Sequence, residues 1–378
     1  MGACCSSAEK NMDKPIIWYD AHVAKFPDLT GKVIAITGTT TGTGNVAARA
    51  CGQKGATVLL LNRTSERSEK SLKALQEAAP GAVFVPIPCD LQDSDSVRSA
   101  AAEIKRKYGD KGLDVLCCNA GIMAMPDEPT KEGFDTQMMT NHLSHWLLSA
   151  ELWPLLLKAG ERTGDARLVF HSSSARKMKK KLEAKYFGKN GGNLGGNGAS
   201  IVGGARWVRY AQTKLANIVC AYTLADRVAA ARLDTTVKVC VAEPGLATTN
   251  LQKTTTAQGG MTEGTMGFIF GVTGHSAEDG TLPLLSAMVD PGARNGDFYL
   301  PKGGLSGPPV KMAKRETHCN DATNKKILTE TSIAAFGVDI PIETSQPAAA
   351  ANAASRAVGT AQASRAVVGQ PQGGGQMP

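Results

Sequence analysis

"GKVIAITGTTTGTGNVAARACGQKGATVLLLNRT", residues 31–64, decides the fold. Its opening "KVIAIT" is a short β-branched run of the kind that forms a strand buried on both faces. Glycines follow at Gly38, Gly42 and Gly44, and "NVAARACGQKG" then carries helical periodicity closed by Gly55. "TVLLL" is a second strand. Strand, glycine turn, helix and strand within about thirty residues make a βαβ unit. Glycines at such a turn let the backbone approach a pyrophosphate, which sits at the helix N-terminus, where free N–H groups and the dipole favour an anion. Gly38, Thr40, Thr41, Gly42, Thr43 and Gly44 are therefore the expected cradle of a dinucleotide. The spacing is Gly-x-x-x-Gly-x-Gly, not Gly-x-Gly-x-x-Gly. A site for NAD usually ends its second strand with an acid against the ribose 2′-hydroxyl; here Asn62 and Arg63 stand there. A guanidinium pairs with a 2′-phosphate that an acid would repel. NADP(H) is expected in preference to NADH.

The 378 residues read as one large α/β domain with attached ends. From Ser345 onward the chain is mostly Ala, Gly, Gln, Ser and Pro without an aromatic, which predicts a disordered tail over 341–378. No apolar run is long enough to span a bilayer; the longest, "GFIFGV", is far too short. The formal charge of +8 is local. Residues 176–189, "RKMKKKLEAKYFGK", hold seven basic residues and one acid, and Arg356 and Arg365 supply two more cations. With "GKNGGNLGGNGAS" behind it, the insert at 176–204 reads as a solvated, flexible loop and not as a nucleic-acid-binding module. Nine cysteines without a C-x-x-C or a Cys/His cluster at zinc spacing predict no metal site. Reduced thiols in an intracellular chain are expected, with Cys51, Cys220 and Cys240 as small core residues.

Further strands follow at regular α/β spacing, each with small or polar residues just past its end. "AVFVPIPCDL" ends in Asp90 and Leu91, and "LDVLCCNAG" in Asn119, Ala120 and Gly121. "ARLVFHSSS" ends in three serines, and "TVKVCVAEPG" in Pro244 and Gly245. Open α/β sheets bind ligands at that end. With "TGTTTGTG", "CDL", "NAGIMA", "NHLSHWLL", "SSSA", "YAQTKLAN" and "EPGLATTNL" in this order over residues 28–340, the chain resembles the short-chain dehydrogenase/reductase family, and within it the retinol-dehydrogenase-like branch. The resemblance implies a single Rossmann-type, doubly wound parallel sheet with helices on both faces. It also implies a catalytic tetrad of Asn141, Ser173, Tyr210 and Lys214, with Ser172 and Ser174 as alternatives for the serine. Asp90, Leu91, Asn119, Ala120, Gly121, Tyr210, Lys214, Pro244, Gly245 and Thr249 would complete the cofactor site. Cys118, where the family often has Asn, is expected to change packing near the adenine.

Such a site interconverts a carbonyl and an alcohol by hydride transfer, with the tyrosine as acid and base. Tyr210 and Lys214, four apart, share a helical face. An ammonium about 4 Å from the phenol would lower its pKa by up to about three units at an effective dielectric of about 20. Ser173 would hold the substrate oxygen, and Asn141 would support a water-linked proton path. Past "EPGLATTNL", Met261, Met266, Phe268, Ile269 and Phe270 among glycines suggest a mobile lid over a small lipophilic substrate. A membrane-tethered NADP(H)-binding scaffold or redox sensor without turnover, and a protochlorophyllide-reductase-like enzyme, are the other readings. Oligomeric state is not legible.

"MGACCSS" matches the N-myristoylation pattern at Gly2, with Cys4 and Cys5 beside it for S-palmitoylation. One myristoyl chain binds membranes only marginally, so residues 1–27 are expected to act as a lipid-anchored leader only with the cysteines acylated, holding an intracellular protein at the membrane surface. Gly2→Ala should release the protein from the membrane fraction, and Cys4→Ser with Cys5→Ser should weaken its hold. Equal soluble fractions for wild type and both variants would refute the anchor.

Overall fold

The structure, a computed structural model, describes residues 14–247, 250–262, 264 and 274–342. Gly2, Cys4, Cys5, Thr249, Met266, Phe268, Ile269, Phe270 and residues 343–378 of the expected tail lie outside the described residues. No described helix is long and apolar enough to cross a membrane.

Seven strands pair in parallel: β1 (Val33–Thr37), β2 (Thr57–Asn62), β3 (Val83–Pro88), β4 (Val115–Cys118), β5 (Ala166–His171), β6 (Val237–Ala242) and β7 (Phe298–Pro301). β8 (Pro309–Lys311) closes one edge antiparallel, an element the sequence patterning did not flag. The order β3-β2-β1-β4-β5-β6-β7-β8 reverses direction between β1 and β4, and that switch point opens a crevice at the strands' C-terminal ends.

All five residues of β1 are buried, and their period-two alternation divides them between two cores. Val33 and Ala35 face the layer of α4 (Ser94–Tyr108), α6 (Ser144–Thr163), α7 (Ala205–Ala230) and α10 (Ala322–Phe336). Ile34 and Ile36 face α1 (Tyr19–Val23), α2 (Gly42–Gln53), α3 (Glu66–Ala78) and α9 (Ala277–Val289). A run apolar at every position, as in β1, is what a sheet covered on both faces requires. Cys51, Cys220 and Cys240 are buried free thiols in these layers. The stretch expected as a leader is partly built into the domain. Backbone N–H groups of Ile17, Trp18 and Tyr19 each donate to the Asp279 carboxylate at 2.9 Å, and Tyr19 packs into the second core.

The insert departs from the flexible loop expected of it. Leu182, Tyr186, Phe187 and Leu194 are buried in the main core. Its glycines at positive φ, Gly192, Gly195 and Gly196, curl the backbone around a buried acid. N–H groups of Gly192, Leu194 and Gly196 donate to Asp127 at 3.1, 2.8 and 2.8 Å. Arg209 on α7 lies between that acid and Asp135, at 3.6 and 3.2 Å, and donates to the carbonyls of Leu194, Gly196 and Met125. Burial pushes the Asp135 carboxyl up to about 6. The glycine run thus permits a nest for a carboxylate.

Asp127→Ala would leave three N–H groups and part of a buried guanidinium without their acceptor. It should cost about 3–5 kcal/mol of stability, whereas Lys180→Ala and Lys181→Ala, on exposed side chains, should change it by less than about 0.5 kcal/mol. Urea unfolding of the three variants tests this, and an Asp127→Ala effect below about 1 kcal/mol would mean that the nest does not hold the insert.

Candidate active site

The crevice at the switch point is a cleft of about 540 Å³. One wall is the glycine turn. Gly38, at φ +72°, lies so close to Ala120 that a Cβ would meet its side chain at 2.8 Å, and Gly42 opens α2 at φ +62°. A Cβ on Gly44 would collide with the Gly38 carbonyl and the Asn119 amide. Asn119 ties these parts together. Its Nδ2 donates to the carbonyls of Thr37 and Gly38, and its Oδ1 accepts from Thr43 Oγ1 at 2.9 Å and His171 Nδ1 at 3.0 Å. The Thr37 hydroxyl accepts the N–H groups of Asn119 and Ala120. Asn62 bonds both the N–H and the hydroxyl of Thr39, so it braces the turn as well as lining the cleft.

Thr40, Thr41, Gly42 and Thr43 line this end, with Arg63 at the rim. Arg67, which sequence patterning alone does not single out, joins it and donates to Thr41 Oγ1 at 2.7 Å. It lies in the first turn of α3, so only the fold brings it back to the loop. Ser65 caps that helix through the Ser68 N–H. Asp90, Leu91, Asn119, Ala120, Gly121, Pro244 and Gly245 also line the cleft. A helix N-terminus without acid, backbone room where a Cβ would intrude and two guanidinium groups at the far end suit a phosphorylated dinucleotide.

At the other end, Tyr210 on α7 is buried, and Ser173, which lines the same end of the cleft, eases the phenol's ionisation. Ser172 is committed elsewhere, its Oγ donating to the Lys214 carbonyl at 2.8 Å. Ser174 begins a 3₁₀ turn (Ser174–Met178) that Ser173 caps. Lys214 Nζ donates to the His171 carbonyl at 3.1 Å and sits 5.8 Å from the Tyr210 ring centroid. Asn141 lies behind the cleft in a single π-helical turn, Met139–Leu143. Its side chain bonds the N–H and carbonyl of Ile122 and the Thr213 hydroxyl, and its own carbonyl accepts from His145 Nδ1 at 3.0 Å. The four residues of the tetrad are thus gathered within two layers of contact.

The electrostatics differ from the expectation. Burial pushes the Tyr210 phenol up to about 12; Ser173 opposes this and Glu243 adds to it. Burial also pulls Lys214 down to about 8. In the protein alone, desolvation outweighs the field that the lysine was expected to supply. His142, His145 and His171 are held neutral, down to about 3, 4 and 3, again chiefly by burial.

Met123, Ala124, Ala175, Trp207, Tyr210 and Met261 form a separate apolar cluster around the phenol, with Ile201 and Leu251 packed against it. Trp207 stands edge-on to Tyr210 at 6.0 Å. None of these except Tyr210 and Met261 was legible in sequence, because they come from four distant segments. Cys118 points into the main core against Ser149, away from the cleft, so its expected effect near an adenine does not hold. Glu316, His318 and Cys319 come within 4.8 Å of one another. Arg176 and Lys177 already pair with Glu316, and burial pushes the Cys319 thiol up to about 12, so the group reads as an ion-pair cluster.

The model of the short chain dehydrogenase family matches residues 32–189. A short-chain dehydrogenase/reductase of Armillaria gallica is 32% identical over 308 residues, covering 81% of this chain and 90% of that protein. An uncharacterized oxidoreductase of Schizosaccharomyces pombe is 37% identical over 203 residues, 53% of this chain and 57% of that one. Human retinol dehydrogenase 11 is 32% identical over 199 residues, again 53% and 57%. Among solved structures, a protein from Mycobacterium paratuberculosis superposes with a TM-score of 0.63 at 26% identity, over 84% of this chain and 98% of that one.

Lys214 carries a stability signature. Its folded pKa of about 8 lies below the ordinary 10.5, so between those values the unfolded chain binds more proton and stability rises with pH. The destabilisation is fully present below pH 8. Lys214→Met should therefore be more stable than wild type at pH 7 by up to about 3 kcal/mol, and the gap should close by pH 10.5. Denaturation at pH 7 and pH 10 measures it; a variant less stable at pH 7 would show that the lysine's hydrogen bond outweighs its desolvation.

Proposed function

The chain belongs to the short-chain dehydrogenase/reductase family, in its retinol-dehydrogenase-like branch, and from that premise we propose that it is an NADP(H)-dependent oxidoreductase interconverting a lipophilic carbonyl and its alcohol. The observation that carries the reading is the gathering of Ser173, Tyr210 and Lys214 in one cleft, at the boundary between the dinucleotide cradle and the apolar cluster.

NADPH would supply the hydride, bound along the cleft with its phosphates on the Gly38–Gly44 turn and its 2′-phosphate between Arg63 and Arg67. The remaining work belongs to the chain. Ser173 hydrogen-bonds the substrate oxygen and aligns the carbonyl. Tyr210 donates its phenolic proton to that oxygen as the carbonyl carbon is reduced, and takes it back in the alcohol direction. Lys214 stabilises the phenolate left behind and, by resemblance, bonds the nicotinamide ribose. Asn141 fixes Ile122 and Thr213 around the site. Met123, Trp207, Ile201, Leu251 and Met261 exclude water and favour an apolar substrate.

Tyr210→Phe should reduce turnover of lipophilic aldehydes and ketones by about 10²–10⁴-fold while NADPH binding, followed by fluorescence, stays nearly intact. Arg63→Asp should weaken NADPH binding and leave NADH nearly unaffected. Undiminished turnover in Tyr210→Phe would sink the mechanism, equal affinity of wild type for NADH and NADPH would sink the cofactor assignment, and tight NADPH binding with no carbonyl or alcohol turned over would favour a sensor.

A further inference from the structure

A second charged network lies directly behind the tetrad. Arg176, which stands in a lysine-rich run, has no solvent exposure. Its Nε and Nη2 donate to Glu316 at 2.7 and 3.2 Å, and its Nη1 donates to Glu243, which is also buried. The same Nη1 reaches the backbone carbonyl of Ser173 at 3.1 Å, and the guanidinium lies 4.8 Å from the Phe298 ring centroid. Glu243 directly precedes Pro244 and Gly245, which line the cleft. Lys177, half exposed, approaches Glu316 at 3.7 Å.

A guanidinium buried with two carboxylates is weak evidence for a purely stabilising role, because desolvation consumes most of the attraction. Its attachment is more informative. The guanidinium nitrogen that binds Glu243 also binds the Ser173 carbonyl, so this acid lies one guanidinium away from the serine at the Tyr210 end of the cleft. We propose that Arg176 and Glu243 are positioning residues for the proton transfer, Arg176 by fixing Ser173 against Tyr210 and Glu243 by placing a negative charge near the phenol that Arg176 partly neutralises. The proposal rests on Tyr210 being the acid and base.

A nearby carboxylate disfavours a phenolate, and Glu243 indeed raises the phenol's hold on its proton, second to burial. The other groups facing Tyr210 are few. Lys214 shares its helix and is lowered by burial alone, without a contribution from Glu243. His171 on β5, and His142 and His145 from the turn and helix behind, stay neutral above pH 5. Ser173 and Trp207 carry no charge. Arg206, one turn before Tyr210, is held on the carbonyls of Asn197, Ala124 and Gln258, which leaves the Glu243–Arg176 pair as the charge to adjust.

The test is the titration of Tyr210 in the full chain labelled with ¹³Cζ-tyrosine, its resonance assigned by loss in Tyr210→Phe, together with alcohol oxidation at saturating NADP⁺ from pH 6 to 9. Glu243→Gln should let the resonance move at lower pH and raise oxidation at pH 7–8 several-fold, with a ceiling of about tenfold for a titration midpoint one pH unit lower. A merely structural role would give only losses. Arg176→Met should move the titration upward and reduce turnover. Arg176→Lys should restore part of both, and the double variant should return the titration towards wild type while turnover stays low. An unmoved Tyr210 resonance in Glu243→Gln, or lost turnover with an unmoved resonance, overturns the proposal; if Arg176→Met does not fold, Glu243→Gln alone decides. Undiminished turnover in Tyr210→Phe would remove the parent mechanism, while the resonance would still report whether Glu243 acts on the phenol.

Discussion

The Asn119 side chain is the joint on which the cleft depends. An amide has two N–H donors and two acceptor lone pairs, and here all four are used inside the protein, on Thr37, Gly38, Thr43 and His171. These partners belong to β1, the glycine turn, the start of α2 and the end of β5. A fully satisfied buried amide has one orientation, because rotating it would face donors with donors. The turn, the helix N-terminus and the strand that carries Ser173 therefore share one register. Thr37 extends the joint: its hydroxyl takes two N–H groups and lies 2.9 Å from His145 Nε2, while His145 Nδ1 holds the Asn141 carbonyl. Because that carbonyl can only accept, Nδ1 carries the proton and the tautomer is set. The cradle and the proton-transfer end are connected through neutral groups, each with a defined direction.

What could be read in sequence was whatever the backbone itself demands. Gly38 and Gly42 are required by positive φ, Gly44 by close approach, and the strand-end residues by topology; each constraint is local to its segment, and each of those residues lies at the crevice or directly behind it. Charge could not be read in the same way. Arg176 and Lys177 are neighbours in a basic run, yet one is fully buried between two carboxylates and the other is half exposed. The carboxylates that decide this, Glu243 and Glu316, lie 67 and 140 residues away. Arg67 is hidden for the same reason, since its link to Thr41 spans 26 residues. The glycine-rich insert misled in the opposite sense. Glycines that read as flexibility are there for positive φ, and the acid they enclose, Asp127, precedes them by more than sixty residues.

The insert also bears on the site. Arg206 and Arg209 stand at the start of the helix that carries Tyr210; both donate to backbone carbonyls of the surrounding loops, and Arg209 also lies between Asp127 and Asp135. The first turn of a helix offers unpaired N–H groups and a partial positive charge, a poor place for cations unless acceptors surround them. Carbonyls of Met125, Leu194, Gly196, Asn197 and Gln258 supply those acceptors. The start of the helix that carries Tyr210 is thereby fixed by the segments that form the apolar end of the cleft. A change in the insert would be felt at the phenol through this helix.

The opposite displacements of Tyr210 and Lys214 then have one cause and one consequence. Burial disfavours charge on both, so the phenol rises to about 12 and the ammonium falls to about 8, and between those values both groups are neutral in the protein alone. Two opposite charges about 6 Å apart attract by roughly 3 kcal/mol at an effective dielectric of about 20, equivalent to a hundredfold change in the proton equilibrium, or about two pH units. That is comparable to what burial imposes, although in the protein alone burial prevails and the phenol stays raised. Ser173 tilts the balance towards the phenolate, and Glu243 tilts it back. A proton donor poised in this way is sensitive to any further charge beside the ring. On the proposed role of Tyr210, the charge of whatever occupies the cleft decides whether the proton stays or leaves.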